Sequence, residues 1–263
     1  DASSPGEHWL PFLDPATLDK QKPAEASDPK TIHFYGFKGG QARTTVLAML
    51  AKSLADDGYR TLVVDADIEA PSLDVVLDAA PNSLGQTVLG LMDSELPIEP
   101  ISGYTSPEGA GGIDLLACRP NSREFDMDFA AFVLRTSLDV SSLEIAIDKL
   151  INWVKTESKT KYDLILFDHR SGLATSVLPI MKACPAVICL RIDDQSINAG
   201  PIFDILFSQT KELPGAYVSF SLDPEETRDS LLGSKGSKIN QLLDRLGFAI
   251  ERGSTHYKLS DED

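Results

Sequence analysis

Cysteine is scarce in this sequence: Cys118, Cys184 and Cys189 are the only three among 263 residues. No two of them form a C-x-x-C pair. A disulfide framework and a paired-thiolate metal site are therefore excluded as organising features, leaving buried, reduced thiols. Long hydrophobic runs are missing too. No stretch approaches the roughly 20 apolar residues of a membrane span, and no basic-then-apolar leader opens the sequence, so the cytoplasm is the expected compartment. Positive charge is in deficit, with 24 Lys and Arg against 40 Asp and Glu and a net charge of -16. A surface of that sign repels nucleic-acid phosphates and anionic lipids, which disfavours direct DNA binding and membrane attachment. No internal repeat is visible.

What is present has the balance of an ordinary globular chain, 42% hydrophobic and 24% charged, long enough for one α/β domain. The stretch that organises it is Phe34-Tyr35-Gly36-Phe37-Lys38-Gly39-Gly40-Gln41-Ala42-Arg43-Thr44-Thr45. An apolar strand over 31–35 precedes it. A helix of good helix formers follows, over 46–55, and stops at Gly58. Strand, glycine-containing turn, then helix is the context of a phosphate-binding loop, because turn amides and the positive end of the helix dipole point at a bound anion. Thr44 stands where such a loop places its Mg²⁺-ligating hydroxyl. The match to G-x-x-x-x-G-K-[ST] is incomplete: Phe37, Ala42 and Arg43 replace the two glycines and the lysine.

Two acidic strand ends follow in order. Thr61-Leu62-Val63-Val64-Asp65-Ala66-Asp67 is a β-branched run ending in acids, and Leu164-Ile165-Leu166-Phe167-Asp168 is a four-residue apolar run ending in Asp. Buried parallel strands read this way. Carboxylates at their carboxyl ends lie in the ligand crevice of an α/β sheet, where Asp168 can hold a water of a Mg²⁺ shell.

Lys38-Gly39-Gly40 with Arg43-Thr44-Thr45 resembles the deviant Walker A motif, K-G-G-x-G-K-T-T, of the MinD/ParA group of P-loop ATPases. Asp65-Ala66-Asp67 before Pro71-Ser72-Leu73 resembles that group's switch I, the run ending in Asp168 its Walker B strand, and His169-Arg170-Ser171-Gly172 its switch II. The resemblance implies a three-layer α/β P-loop fold with a mainly parallel sheet flanked by helices. It implies that residues 38–45 (Lys38, Gly39, Gly40, Gln41, Ala42, Arg43, Thr44 and Thr45) and the Gly172 amide cradle the phosphates of ATP. Mg²⁺ would be held by Thr44, Asp65 and Asp168, with Asp67 orienting the attacking water. Lys38 would reach the phosphates of a second subunit in an ATP-dependent homodimer, and Arg43 would stand in for the loop lysine. Arg170 either touches phosphate or faces solvent, and His169 is expected at the surface. The paired cysteines of the group's iron–sulfur carriers are absent here.

The resemblance spans about residues 30–225. Residues 1–30 read as an extended arm with an aromatic patch (Trp9, Phe12), 31–255 as the ATPase domain, and 256–263 as an acidic tail. Residues 75–110 read as an amphipathic stretch followed by a Pro- and Gly-rich loop. Further helices are expected over 121–140, 142–154, 173–184 and 193–211, further strands over 113–119, 186–192 and 215–221, and a closing amphipathic segment over 238–250. The expected function is a slowly hydrolysing ATPase whose nucleotide-dependent dimerisation controls a protein partner. A pseudo-ATPase scaffold is the alternative, because Arg43 is longer and planar and Ala42 lacks the freedom of glycine. A phosphotransferase or ligase of the same superfamily is a third.

Overall fold

The computed structural model describes residues 28–36, 38–92, 95–107, 111–138, 140–172, 186–191 and 216–221. The arm, the helices expected over 173–184 and 193–211, the segment over 238–250 and the acidic tail lie outside the described residues. Seven strands among these residues form one sheet: β1 (Lys30–Tyr35), β2 (Arg60–Ala66), β3 (Ile101–Thr105), β4 (Gly112–Leu116), β5 (Leu164–His169), β6 (Ala186–Arg191) and β7 (Ala216–Ser221). Their order is β3-β4-β2-β5-β1-β6-β7. Every neighbouring pair is parallel except β3 with β4.

The central strands read as unbroken apolar runs because both their faces are covered. On one face lies α1 (Arg43–Asp56), which buries Leu47, Ala51, Leu54 and Ala55 against Ile32, Phe34, Val63, Leu164 and Leu166. On the other lies α4 (Val140–Thr156), whose Leu143, Ile147, Leu150 and Val154 pack with Leu62, Val64, Ile165 and Phe167. The short α2 (Leu73–Val76) and the α3 helix (Asp126–Leu138) complete the helices of these residues. Helix α1 stops as the sequence predicts. Gly58 takes φ +91, Tyr59 N–H donates to Leu54 C=O and Gly58 N–H to Ala55 C=O, the two bonds of a Schellman end. Among the described residues no helix is long and apolar enough to cross a membrane.

The structure departs from the sequence reading over 75–110. Val88, Leu89 and Leu91 of the amphipathic stretch are buried, Leu89 and Leu91 within a 3₁₀ turn (Leu89–Met92). The loop beyond contains β3, an antiparallel edge strand. Its alternation was hidden because an edge strand is only half covered, because Gly103 contributes no side chain, and because the register shifts between Ser102 and Tyr104.

Candidate functional site

The loop between β1 and α1 sits at the carboxyl edge of the sheet. Gly39 and Gly40 are exposed, Gly40 has φ +73, and nothing lies within 4 Å of where a Cβ would stand on either. The space outside these two glycines is open. The loop closes on Ala42, which caps α1 from the left-handed region at φ 56 and ψ 19, its carbonyl accepting the first helical bond from Val46 N–H. An L-residue there costs about 1–2 kcal/mol relative to right-handed backbone. The glycine that the motif lacks would stand there without strain.

Pleating assigns the acids to their faces. Asp65 follows Val63 by two residues and Asp168 follows Leu166 by two, so both carboxylates point to the α1 side. The register pairs Asp65 with Asp168 across β2 and β5. Asp67 lies just past β2. Into this group reaches Arg43, the first residue of α1 and only 9% exposed. Its Nε donates to Asp168 Oδ1, and its Nη2 donates to Asp67 Oδ2 at 2.5 Å. Thr44 Oγ1 donates to Asp168 Oδ2 at 2.6 Å. Asp67 Oδ1 accepts the N–H groups of Glu69 and Ala70. Asp65 accepts the N–H of Asp67 on one oxygen and those of Ser72 and Leu73 on the other, tying β2 to the start of α2.

Burial governs the protonation of this group. It pushes Asp65 up to about 7 against the pull of its three N–H partners, and the Asp168 charge adds to the rise. Asp168 is likewise raised by burial, with Arg43 and Thr44 opposing. Burial works against the Arg43 charge, yet Asp168 and Asp67 outweigh it and hold the guanidinium protonated. Removing one partner from a buried pair of this kind costs about 3–5 kcal/mol, because the other charge is left without compensation.

The chemistry of the donors suits Mg²⁺, since a hydroxyl and three carboxylates are hard oxygen ligands. Their arrangement does not. All six oxygens of Asp65, Asp67 and Asp168 accept hydrogen bonds from the protein. Among the described residues no group of three or more His, Cys, Asp or Glu is set to hold a metal ion. Arg43 occupies the space between Asp67 and Asp168.

The remaining predicted residues fall around this centre. On the loop Lys38 is partly exposed and Gln41 buried, and Thr45, in the first turn of α1, is exposed. Gly172 (φ +90) donates its N–H to Gly36 C=O at 3.1 Å, and its own carbonyl accepts from Tyr35 Oη at 2.7 Å. Arg170 pairs with Glu69 at 2.5 Å, linking the segments that follow β5 and β2. Glu69 also borders a surface groove of about 620 Å³ with Ile68, Arg119, Phe129, Val133 and Leu134, whose convergence no local pattern announces.

His169 is fully buried, contrary to the expected surface position. β5 runs one residue past Asp168, so alternation sends His169 to the opposite face. There its Nε2 lies 2.5 Å from Nδ1 of the equally buried His33, and both rings stack with Phe167. Burial, helped by the Arg43 charge, lowers His169 to about 3. Burial and the neighbouring His169 lower His33 as well, so the pair is neutral. His33 was visible in the sequence only as a polar interruption of an apolar strand.

A glycine-bearing loop at the carboxyl end of a central parallel strand, opening a helix whose first residues meet acids from two neighbouring strands, defines a P-loop nucleotide-binding fold. A family model described as an AAA domain matches residues 29–198. The chain belongs to this family, among its MinD/ParA-type P-loop ATPases. A septum site-determining protein MinD of Guillardia theta is 42% identical over 169 residues, covering 61% of this chain and 55% of that protein. The chain spans about half the length of the curated relatives it matches. A ParA family ATPase of Chlorobium tepidum has the same fold, with a TM-score of 0.54 at 17% identity over 82% of this chain and 81% of that one. So does a cobyrinic acid a,c-diamide synthase of Mycobacterium smegmatis, crystallised with an ATP analogue and magnesium, at 0.52 and 22% over 78% and 80%.

Proposed function

We propose that this chain binds ATP and works as a nucleotide-dependent dimer switch that controls a protein partner, with slow hydrolysis. The observation that carries this reading is the uncrowded loop at Gly39 and Gly40, facing solvent directly ahead of a buried charge network. Loop amides and the α1 dipole supply the anion site. In this reading Lys38, partly exposed at the loop's start, reaches a second subunit's phosphates. Slow turnover follows from Asp67: an acid whose oxygens are held by Arg43 and two backbone N–H groups is poorly free to orient a water. The net charge of -16 favours a protein partner over DNA.

The test is light-scattering mass with ADP, ATP and a non-hydrolysable ATP analogue, on the intact chain and on Lys38→Ala. The mass is expected to double with ATP or the analogue, and not in Lys38→Ala. A mass indifferent to nucleotide removes the dimer switch. A second reading, a scaffold that binds partners without hydrolysis, is favoured by the ion pairs of Arg43 with both acids. It is distinguished by the absence of phosphate release from a chain that still dimerises.

A further inference from the structure

The misfit between the acidic centre and Mg²⁺ has a specific cause in this chain. A divalent cation in a nucleotide site bridges acidic side chains to phosphate oxygens and offsets their charge. Here a side chain already bridges the acids. The Arg43 guanidinium joins Asp168 to Asp67. Thr44, the residue that would complete a metal's ligand set, donates its hydroxyl hydrogen to Asp168. Two of the five guanidinium N–H groups are used in these contacts, which leaves three to donate to a phosphate. The charge is permanent, because arginine does not deprotonate in proteins. A lysine at this position, shorter and with a single nitrogen, has no fork to span two carboxylates.

We propose that the Arg43 guanidinium takes the divalent cation's place, so that the polyphosphate of a nucleotide is bound at this loop without Mg²⁺. The inference rests on the reading of the loop as a nucleotide site. The guanidinium bridges Asp67 and Asp168 on one side and a phosphate oxygen on the other. A metal entering the same space would have to displace it from both carboxylates. Nucleotide affinity is therefore set by Arg43, Lys38 and the loop amides, and divalent ions neither assist it nor bind at the acids.

The test is calorimetric titration of ATP and of ADP into the intact chain, once in EDTA and once in excess MgCl₂. Manganese paramagnetic resonance on the same samples reads metal binding directly. The expected result is dissociation constants within about threefold of each other in the two buffers, with Mn²⁺ remaining free in the presence of protein alone. Affinity lost by about tenfold or more in EDTA overturns the inference and leaves the nucleotide reading standing. Absence of binding in both buffers overturns the nucleotide reading, and the inference with it. Arg43→Lys releases the acids and is expected to acquire Mn²⁺ binding and a dependence of ATP affinity on Mg²⁺. A folded Arg43→Lys chain as indifferent to metal as the parent also overturns the inference. Should that variant not fold, the two titrations of the parent chain decide.

Discussion

At the scale of single residues, burial and pairing set the charge states, and these give the protein opposing pH dependences. His33 and His169 are fully buried, and both are lowered below their ordinary value of 6.5, His169 to about 3. The unfolded chain therefore binds protons that the folded chain refuses. Their contribution to stability is fully present above 6.5 and is lost as pH falls from there toward about 3. Asp65 has the opposite sign. Its folded value of about 7 exceeds the ordinary 3.8, so the folded chain binds the extra proton and stability falls as pH rises through that window. We expect His169→Phe, which keeps the stacking on Phe167, to make the acid limb shallower in urea unfolding followed across pH. An unchanged acid limb would assign that limb to other groups.

At the scale of elements, α1 carries both the proposed anion site and a strained start. Ala42 holds φ 56 with no side-chain cap. Ala42→Gly is expected to stabilise the fold by about 1 kcal/mol, the left-handed cost less the added freedom of the unfolded chain, read as a rise in Tm. A fall in Tm would mean that the Ala42 methyl packs usefully. The central strands, α1 and α4 were legible in the sequence, because a strand covered on both faces and an amphipathic helix each leave a pattern their own residues carry. β3 left none, since half its surface is solvated and Gly103 interrupts it. The turn at Val88–Leu91 is apolar for tertiary reasons: Val88, Leu89 and Leu91 belong to the same buried cluster as Leu143 and Ile147 of α4, partners far off in sequence.

At the scale of the whole molecule, charge is the first constraint on assembly. Each chain carries -16, so two of them repel at a distance. If ATP drives a homodimer, its light-scattering dissociation constant should tighten between low ionic strength and about 0.15 M salt, where the screening length shrinks to about 8 Å. Weakening with salt would point instead to an interface dominated by opposite charges, such as Lys38 with phosphate.

The sequence by itself determined the fold class, the loop at residues 38–45 and the two acidic strand ends, because each is a local pattern: an apolar run, a glycine turn, a carboxylate at a fixed offset. It also showed that Arg43 and Ala42 depart from the motif. What the departure does was decided only by the tertiary structure. Register brings Asp168 beside Asp65, alternation places both on the α1 face, and the length of arginine carries its guanidinium between Asp168 and Asp67. Those acids lie 125 and 24 residues away from Arg43 along the chain. No local pattern relates them, because their meeting depends on which strands are neighbours in the sheet.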